Sequence, residues 1–184
     1  MAHPFRLGFL THLEGAGDPA RIYRETLDLF VAADELGFDV VWVAEHHFKD
    51  RAGRLPSLFP FLAAASERTR RLRLGTSIVI LPLEDPLRVA ENAAVVDTLS
   101  SGRLELGVGS GGDAGEFQAF GIDLAQRHIR TTEGICRLKS ILAGEPIGES
   151  GQRLQPPVPS PVDRLWQSAL SLPGLSMWLA RAWA

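Results

Sequence analysis

The most restrictive feature of this sequence is a repeated pairing of a short, mainly apolar run with a helical stretch, recurring roughly every 35 residues. Residues 40–44, 72–81 and 104–108 are such runs, rich in Val, Ile and Leu. Residues 40–44 hold no polar residue, and a strand that lacks hydrophobic and polar alternation is one buried on both faces, as in a parallel sheet covered by helices. Residues 5–11 read as a preceding strand. Between the strands the helix signals are local: Asp18 and Pro19 suit an N-cap and first helical position, Tyr23, Leu27, Phe30 and Val31 form one apolar stripe, and Gly37 is a stop. Residues 58–69 are helical in composition. Pro86 opens a helix with Val89, Ala93 and Val96 inward, closed by Ser101-Gly102, and residues 125–142 carry Ile135, Leu138 and Leu142 at helical spacing. Four βα units follow from this. Alternation of this kind demands parallel pairing with right-handed crossovers, which leaves a doubly wound sheet or a barrel. After Gly144 the pattern changes: Pro146, Pro156, Pro157, Pro159 and Pro161 break regular elements, and residues 165–170 could form a fifth strand. The expected division is residues 1–143 as the βα body and residues 144–184 as a Pro-rich connector with that strand and an atypical tail. In that tail, residues 172–184 carry Trp178 and Trp183 with no segment left to cover them, so the ending reads as premature.

Composition removes whole classes of function. With 45% apolar and 22% charged residues the chain is an ordinary globular protein, and a net charge of −3 gives no electrostatic reason to expect nucleic acid or an anionic membrane. Cys136 is the single cysteine, so no internal disulfide can form, and a reducing, cytoplasmic setting is expected, with Cys136 on the buried stripe of its helix. No stretch reaches the roughly 18 apolar residues of a membrane span, and the N-terminus has no signal-peptide core. The 184 residues fall short of the ~250 typical of an eightfold barrel.

Glu45-His46-His47-Phe48 stands at the C-terminal end of the second strand, where parallel α/β folds place their chemistry. Adjacent histidines on extended backbone point to opposite sides, so they do not share a metal, and no third ligand is suitably spaced; no metal site is expected. One histidine facing the mouth suits acid/base work, the alternative being a hydrogen-bonded structural residue. Gly107-Val108-Gly109-Ser110-Gly111-Gly112 matches G-x-G-x-x-G, yet it follows the fourth strand and lacks the acidic residue about 20 positions on, which argues against a dinucleotide site. Its glycines permit close backbone approach, either in a turn or to a flat ligand. Glu84-Asp85 reads as helix capping, and Arg103 as a structural residue at the bottom of the sheet.

Four segments together resemble the luciferase-like flavin-dependent monooxygenases, the superfamily of bacterial luciferase. They run from Gly37-Phe38-Asp39 to Trp42-Val43-Ala44-Glu45-His46-His47-Phe48, through Leu74-Gly75-Thr76-Ser77-Ile78-Val79-Ile80-Leu81-Pro82 and Asp85-Pro86-Leu87-Arg88-Val89-Ala90-Glu91, to Ser101-Gly102-Arg103-Leu104-Glu105-Leu106-Gly107-Val108-Gly109. The resemblance implies an α/β fold, a partial (β/α)₈ TIM barrel holding about the first four to five βα units of a truncated chain. It implies reduced FMN, or in some branches F420, at the C-terminal mouth. The FMN enzymes use O₂ to oxygenate a small organic substrate, with flavin reduced by a separate reductase. By the same resemblance His46 is the catalytic acid/base, Ser77 and Ile78 form a non-proline cis peptide beneath the flavin ring, and Gly109 and Ser110 face the cofactor. Phosphate contacts would come largely from later strands. A homo-oligomer is expected from the open sheet edge. The rivals are an F420-dependent oxidoreductase of the same superfamily and a noncatalytic flavin-binding protein.

Overall fold

A computed structural model describes residues 5–51, 53–158 and 162–168. Helix α1 (Pro19–Leu36) begins where Asp18 accepts the Ala20 N–H and Pro19 supplies a preset φ, and it ends at Gly37 in the left-handed region, with Phe38 N–H returning to Ala33 O. The remaining elements are β1 (Gly8–Thr11), β2 (Val40–Val43), α2 (Leu58–Arg68), β3 (Arg73–Thr76), β4 (Val79–Ile80), α3 (Pro86–Leu99), β5 (Leu104–Gly109), α4 (Ala114–Ala119), α5 (Arg127–Leu142) and β6 (Leu165–Gln167). All strand pairs are parallel: β1 with β2, β2 with β3, β3 and β4 with β5, and β5 with β6. Successive βα units therefore lie side by side in chain order, the arrangement of a barrel wall rather than of a sheet that reverses direction at its middle.

The apolar run at 72–81 is not one strand. Leu74 stands opposite Leu104, thirty residues on, whereas Val79 stands opposite Val108, twenty-nine on. One extra residue is thus absorbed between β3 and β4, at a bulge containing the cis Ser77–Ile78 peptide. The run is largely apolar because most of both halves and the following 3₁₀ turn (Leu81–Leu83) are buried.

The outer face of the sheet meets the helices. Val41, Val43, Leu74, Leu104, Leu106 and Val108 join Phe30, Leu62, Val89, Ala93 and Leu138 in one core, at about 1.5–3 kcal/mol per large side chain fully buried. β5 is buried at all six positions, including Glu105, which pairs with Arg73. β1 and β2 instead alternate in burial, since Leu10 and Trp42 face the inner side and stay partly open. At the bottom of the sheet Arg103 donates to Ser66 O, Thr69 O and Oγ1, Leu72 O and Ser100 O, closing the end of α2 where helix carbonyls lack partners.

Three local expectations need correction. Cys136 is exposed: the inward stripe of α5 is Gly134, Ile135, Leu138, Ile141 and Leu142, and one residue past Ile135 the helix has turned about 100° away. The Gly-rich stretch expected to reach Gly115 is interrupted by α4. The fifth strand spans Leu165–Gln167, and residues 169–170 lie outside the described residues, as do Pro159, Pro161 and the 172–184 tail with Trp178 and Trp183. Among the described residues no helix is long and apolar enough to cross a membrane, and no cluster of metal-ligating side chains occurs.

Candidate functional site

The C-terminal ends of β2, the β3/β4 bulge and β5 open on the same side, because parallel strands all point one way. The β2 end carries the histidines. Ala44 N–H bonds Thr11 O and His46 N–H bonds Leu55 O, so the backbone stays extended and its side chains diverge. The His46 side chain is 37% exposed and that of His47 only 7%.

Four neighbours fix the His46 ring. His12 stacks on it at 5.5 Å between centroids, and Gly53, at φ +71°, comes so close that a Cβ there would overlap the imidazole. Gly53 is therefore one of the positions where only glycine serves. Leu55 holds the backbone, and Glu116 Oε1 lies 3.5 Å from Nδ1. Glu116 is buried on α4 and also accepts the His47 N–H at 2.9 Å. Its helix is tied to the loop after β2 by the Lys49–Asp113 ion pair at 2.5 Å, Asp113 being the N-cap that accepts from Gly115 and Glu116 N–H.

His47 turns inward. Its ring meets Phe120 edge-on at 4.9 Å, and burial pushes its pKa down against the opposing pull of Glu116. Its Nε2 is a buried atom without a hydrogen-bond partner, 4.0 Å from Glu45 Oε1. Glu45 is itself buried and accepts the Ile80 N–H at 2.7 Å. Burial pushes its carboxyl up to about 8; the Ile80 bond opposes this, while Glu84 and Glu116 reinforce it.

Ser77 and Ile78 occupy the bulge at half-buried positions, and Phe117 of α4 packs with Ile80 behind Ile78. The Ile78 side chain lies over Gly109, where an added Cβ would collide with Ile78 and the Ser168 hydroxyl. Ser110 follows, half-buried, its hydroxyl turned to Gly111 O at 3.4 Å. Below them Gly75 and Gly107 carry no side chain, and the space a Cβ would take is filled by Trp42 at Gly75 and by the Thr76 carbonyl at Gly107; Thr76 Oγ1 exchanges hydrogen bonds with both Gly107 N–H and O. Asp85 caps α3 as expected, accepting the Leu87 N–H, but Glu84 does not cap; burial raises its pKa. The fold thus brings Ile78 and Gly109 into contact and puts His46 at the end of a neighbouring strand.

Glu116, Gly53 and His12 belong to this arrangement and are not among the residues expected from sequence; Glu45 is part of the strand-end motif but had no role assigned. For Glu116 a signal was present: Asp113-Ala114-Gly115-Glu116 has the spacing of a capping box and marks the start of α4.

Comparisons with known proteins bear on this geometry. The profile of the luciferase-like monooxygenase family matches residues 5–182. The 4-hydroxyprotoasukamycin monooxygenase of Streptomyces nodosus subsp. asukaensis is 40% identical over 138 residues, 74% of this chain and 37% of that protein. An F420-dependent glucose-6-phosphate dehydrogenase of Gordonia bronchialis is 31% identical over 159 residues, 83% of this chain and 46% of the other. The crystal structure of the monooxygenase RslO1 from Streptomyces bottropensis superposes with a TM-score of 0.84 at 32% identity, covering 97% of this chain and 57% of that one. The chain therefore spans about half the length, or less, of these relatives.

Proposed function

Since this chain belongs to the luciferase-like monooxygenase family, we propose that it contributes the catalytic mouth of an FMN-dependent monooxygenase, with His46 as acid/base and Ser77, Ile78, Gly109 and Ser110 as the cofactor-facing surface. One observation carries the reading: the ends of adjacent parallel strands present a partly exposed histidine and a half-buried bulged turn with Ile78 over Gly109 on one side of the sheet. The residues present fit a flat ring system at the half-buried Ser77–Ile78 bulge beside the partly exposed His46, where Ile78 offers an apolar contact, while Gly75, Gly107 and Gly109 let Trp42, the Thr76 carbonyl and Ile78 pack directly on the wall. Reduced flavin, when bound, supplies the electrons for activating O₂. The chain supplies the rest. His46, with Nδ1 toward Glu116, has Nε2 left to take or give a proton at the mouth. Trp42, Phe48 and Phe120 give the surroundings an apolar character suited to a small organic substrate. The flavin is reduced by a separate reductase, and the fourth-turn glycines serve the mouth rather than a dinucleotide.

A second reading, an F420-dependent oxidoreductase, is favoured by the Gordonia relative. Anaerobic titration with reduced FMN and with reduced F420, followed by admission of O₂ and analysis for oxygenated product, separates the two. FMN uptake with O₂-dependent product supports the monooxygenase; F420 uptake with no product from O₂ overturns it.

A further inference from the structure

Glu45 has the environment least suited to a carboxylate among the groups at this end of the sheet. It is 5% exposed, and one oxygen is satisfied by the Ile80 N–H at 2.7 Å. The other oxygen faces His47 Nε2 across 4.0 Å, and that nitrogen is the buried side-chain polar atom left without a partner among the described residues. Buried orphans of this kind are rare and call for a physical account. We propose that Glu45 is a positioning residue: as a neutral carboxylic acid it accepts the Ile80 N–H and donates its own proton to His47 Nε2, thereby fastening the histidine-bearing strand end to the segment that carries Ser77 and Ile78.

Both partners must be neutral for this, and their surroundings favour it. The groups that face Glu45 are His47 on its own segment, Glu84 from the turn after β4, and Glu116 from α4. The two facing carboxylates repel a third negative charge, and burial disfavours ionisation of Glu45 and of His47 alike. A neutral His47 carrying its proton on Nδ1 leaves Nε2 as an acceptor. The proposed bond requires His47 Nε2 and Glu45 Oε1 to draw together from 4.0 Å to about 2.8 Å, the length of an ordinary hydrogen bond, while Oε2 stays on the Ile80 N–H. The consequence reaches the mouth. Ile80 is paired with Gly109 across β4 and β5, so fixing its N–H fixes the downstream end of the bulge against β5.

The bond itself is independent of any cofactor, whereas its effect on flavin uptake rests on the function proposed above. The test uses the 184-residue chain with Glu45→Gln, a neutral isostere, and Glu45→Ala. Infrared difference spectra of the cofactor-free wild type and Glu45→Gln at pH 7 should show a carboxylic-acid carbonyl band in the wild type alone. Because the folded carboxyl titrates near 8 against an ordinary 4.5, the stabilisation from the protonated form is complete below 4.5 and is lost as pH rises toward 8. The wild-type unfolding midpoint should therefore fall across that window relative to Glu45→Gln and run parallel above it. Glu45→Gln should keep the FMN affinity of the wild type, and Glu45→Ala should lose about tenfold or more. Absence of the acid band, identical pH profiles, or a Glu45→Gln chain that does not fold would overturn the proposal. A wild-type chain that takes up neither FMN nor F420 would defeat the cofactor reading instead, with the infrared and pH results still deciding Glu45.

Discussion

The His46 ring is held by contacts of different kinds: an aromatic face from His12, a backbone at Gly53 with no room for a side chain, and a buried carboxylate from Glu116. Replacing His46 with Ala should lower flavin-dependent oxygenation by about 10²- to 10⁴-fold, the scale of a positioned acid/base, while FMN affinity survives. His47→Ala should cost less activity, since its ring is buried against Phe120 and does not reach the mouth. Product formation and FMN affinity measured on both variants decide this, and loss of flavin from His46→Ala would make that residue structural. Gly53→Ala is a second residue-scale test. A Cβ at φ +71° is strained by about 1–3 kcal/mol and also drives into the imidazole. The variant should unfold at lower denaturant and lose activity beyond what the stability change explains; an unaltered activity would show that the His46 orientation is unimportant.

At the scale of elements, the helices most clearly punctuated in the sequence were the most legible. Asp18-Pro19 and Gly37 bracket α1, and Asp85-Pro86 opens α3, because caps and left-handed glycines are local physics. The β3/β4 bulge was hidden within its apolar run, since hydrophobicity reports burial and is blind to register; it entered only through the family resemblance. Short α4 was missed because six residues carry no periodicity, and with it went Glu116, whose partners lie 69 and 70 residues away in sequence. Asp34 shows the same limitation. Burial alone would raise its pKa, but N–H bonds from Arg70, Leu72 and Arg71 together with the Arg71 charge hold it below the ordinary 3.8, joining the end of α1 to the entry of β3. A depressed carboxyl stabilises above its unfolded pKa, and that contribution is lost as pH falls through the folded value. Asp34→Ala should therefore cost about 1–3 kcal/mol at pH 7, a difference that shrinks below pH 3.8. Urea unfolding of both proteins across that range checks it, and a gap that stays constant into strong acid would show that ionised Asp34 contributes nothing.

On the scale of the molecule, the wall of βα units has two unlike faces. The outer one is closed by α1, α2, α3 and α5 around a single core. The inner one presents Leu10 at 51% exposure, Trp42 edge-on to Trp166 at 6.0 Å, and Trp166 itself at 49%, while β1 and β6 end the sheet among the described residues. Glu105 holds part of this face in place by pairing with Arg73 and accepting from Trp166 Nε1 at 2.7 Å, which keeps the tryptophan upright rather than covered. Exposed apolar side chains on one face, beside strands that end the sheet among the described residues, are the combination that drives association in water. The chain should therefore form concentration-dependent assemblies at micromolar concentration. Leu10→Lys should shift them toward monomer without lowering the unfolding midpoint, because Leu10 lies on the open face and contributes little to the closed core. Light scattering with thermal unfolding on both proteins gives the answer. A wild-type chain that remains a monodisperse 20.0 kDa species would mean that the inner face is covered from within the chain, and the case for association would fall with it.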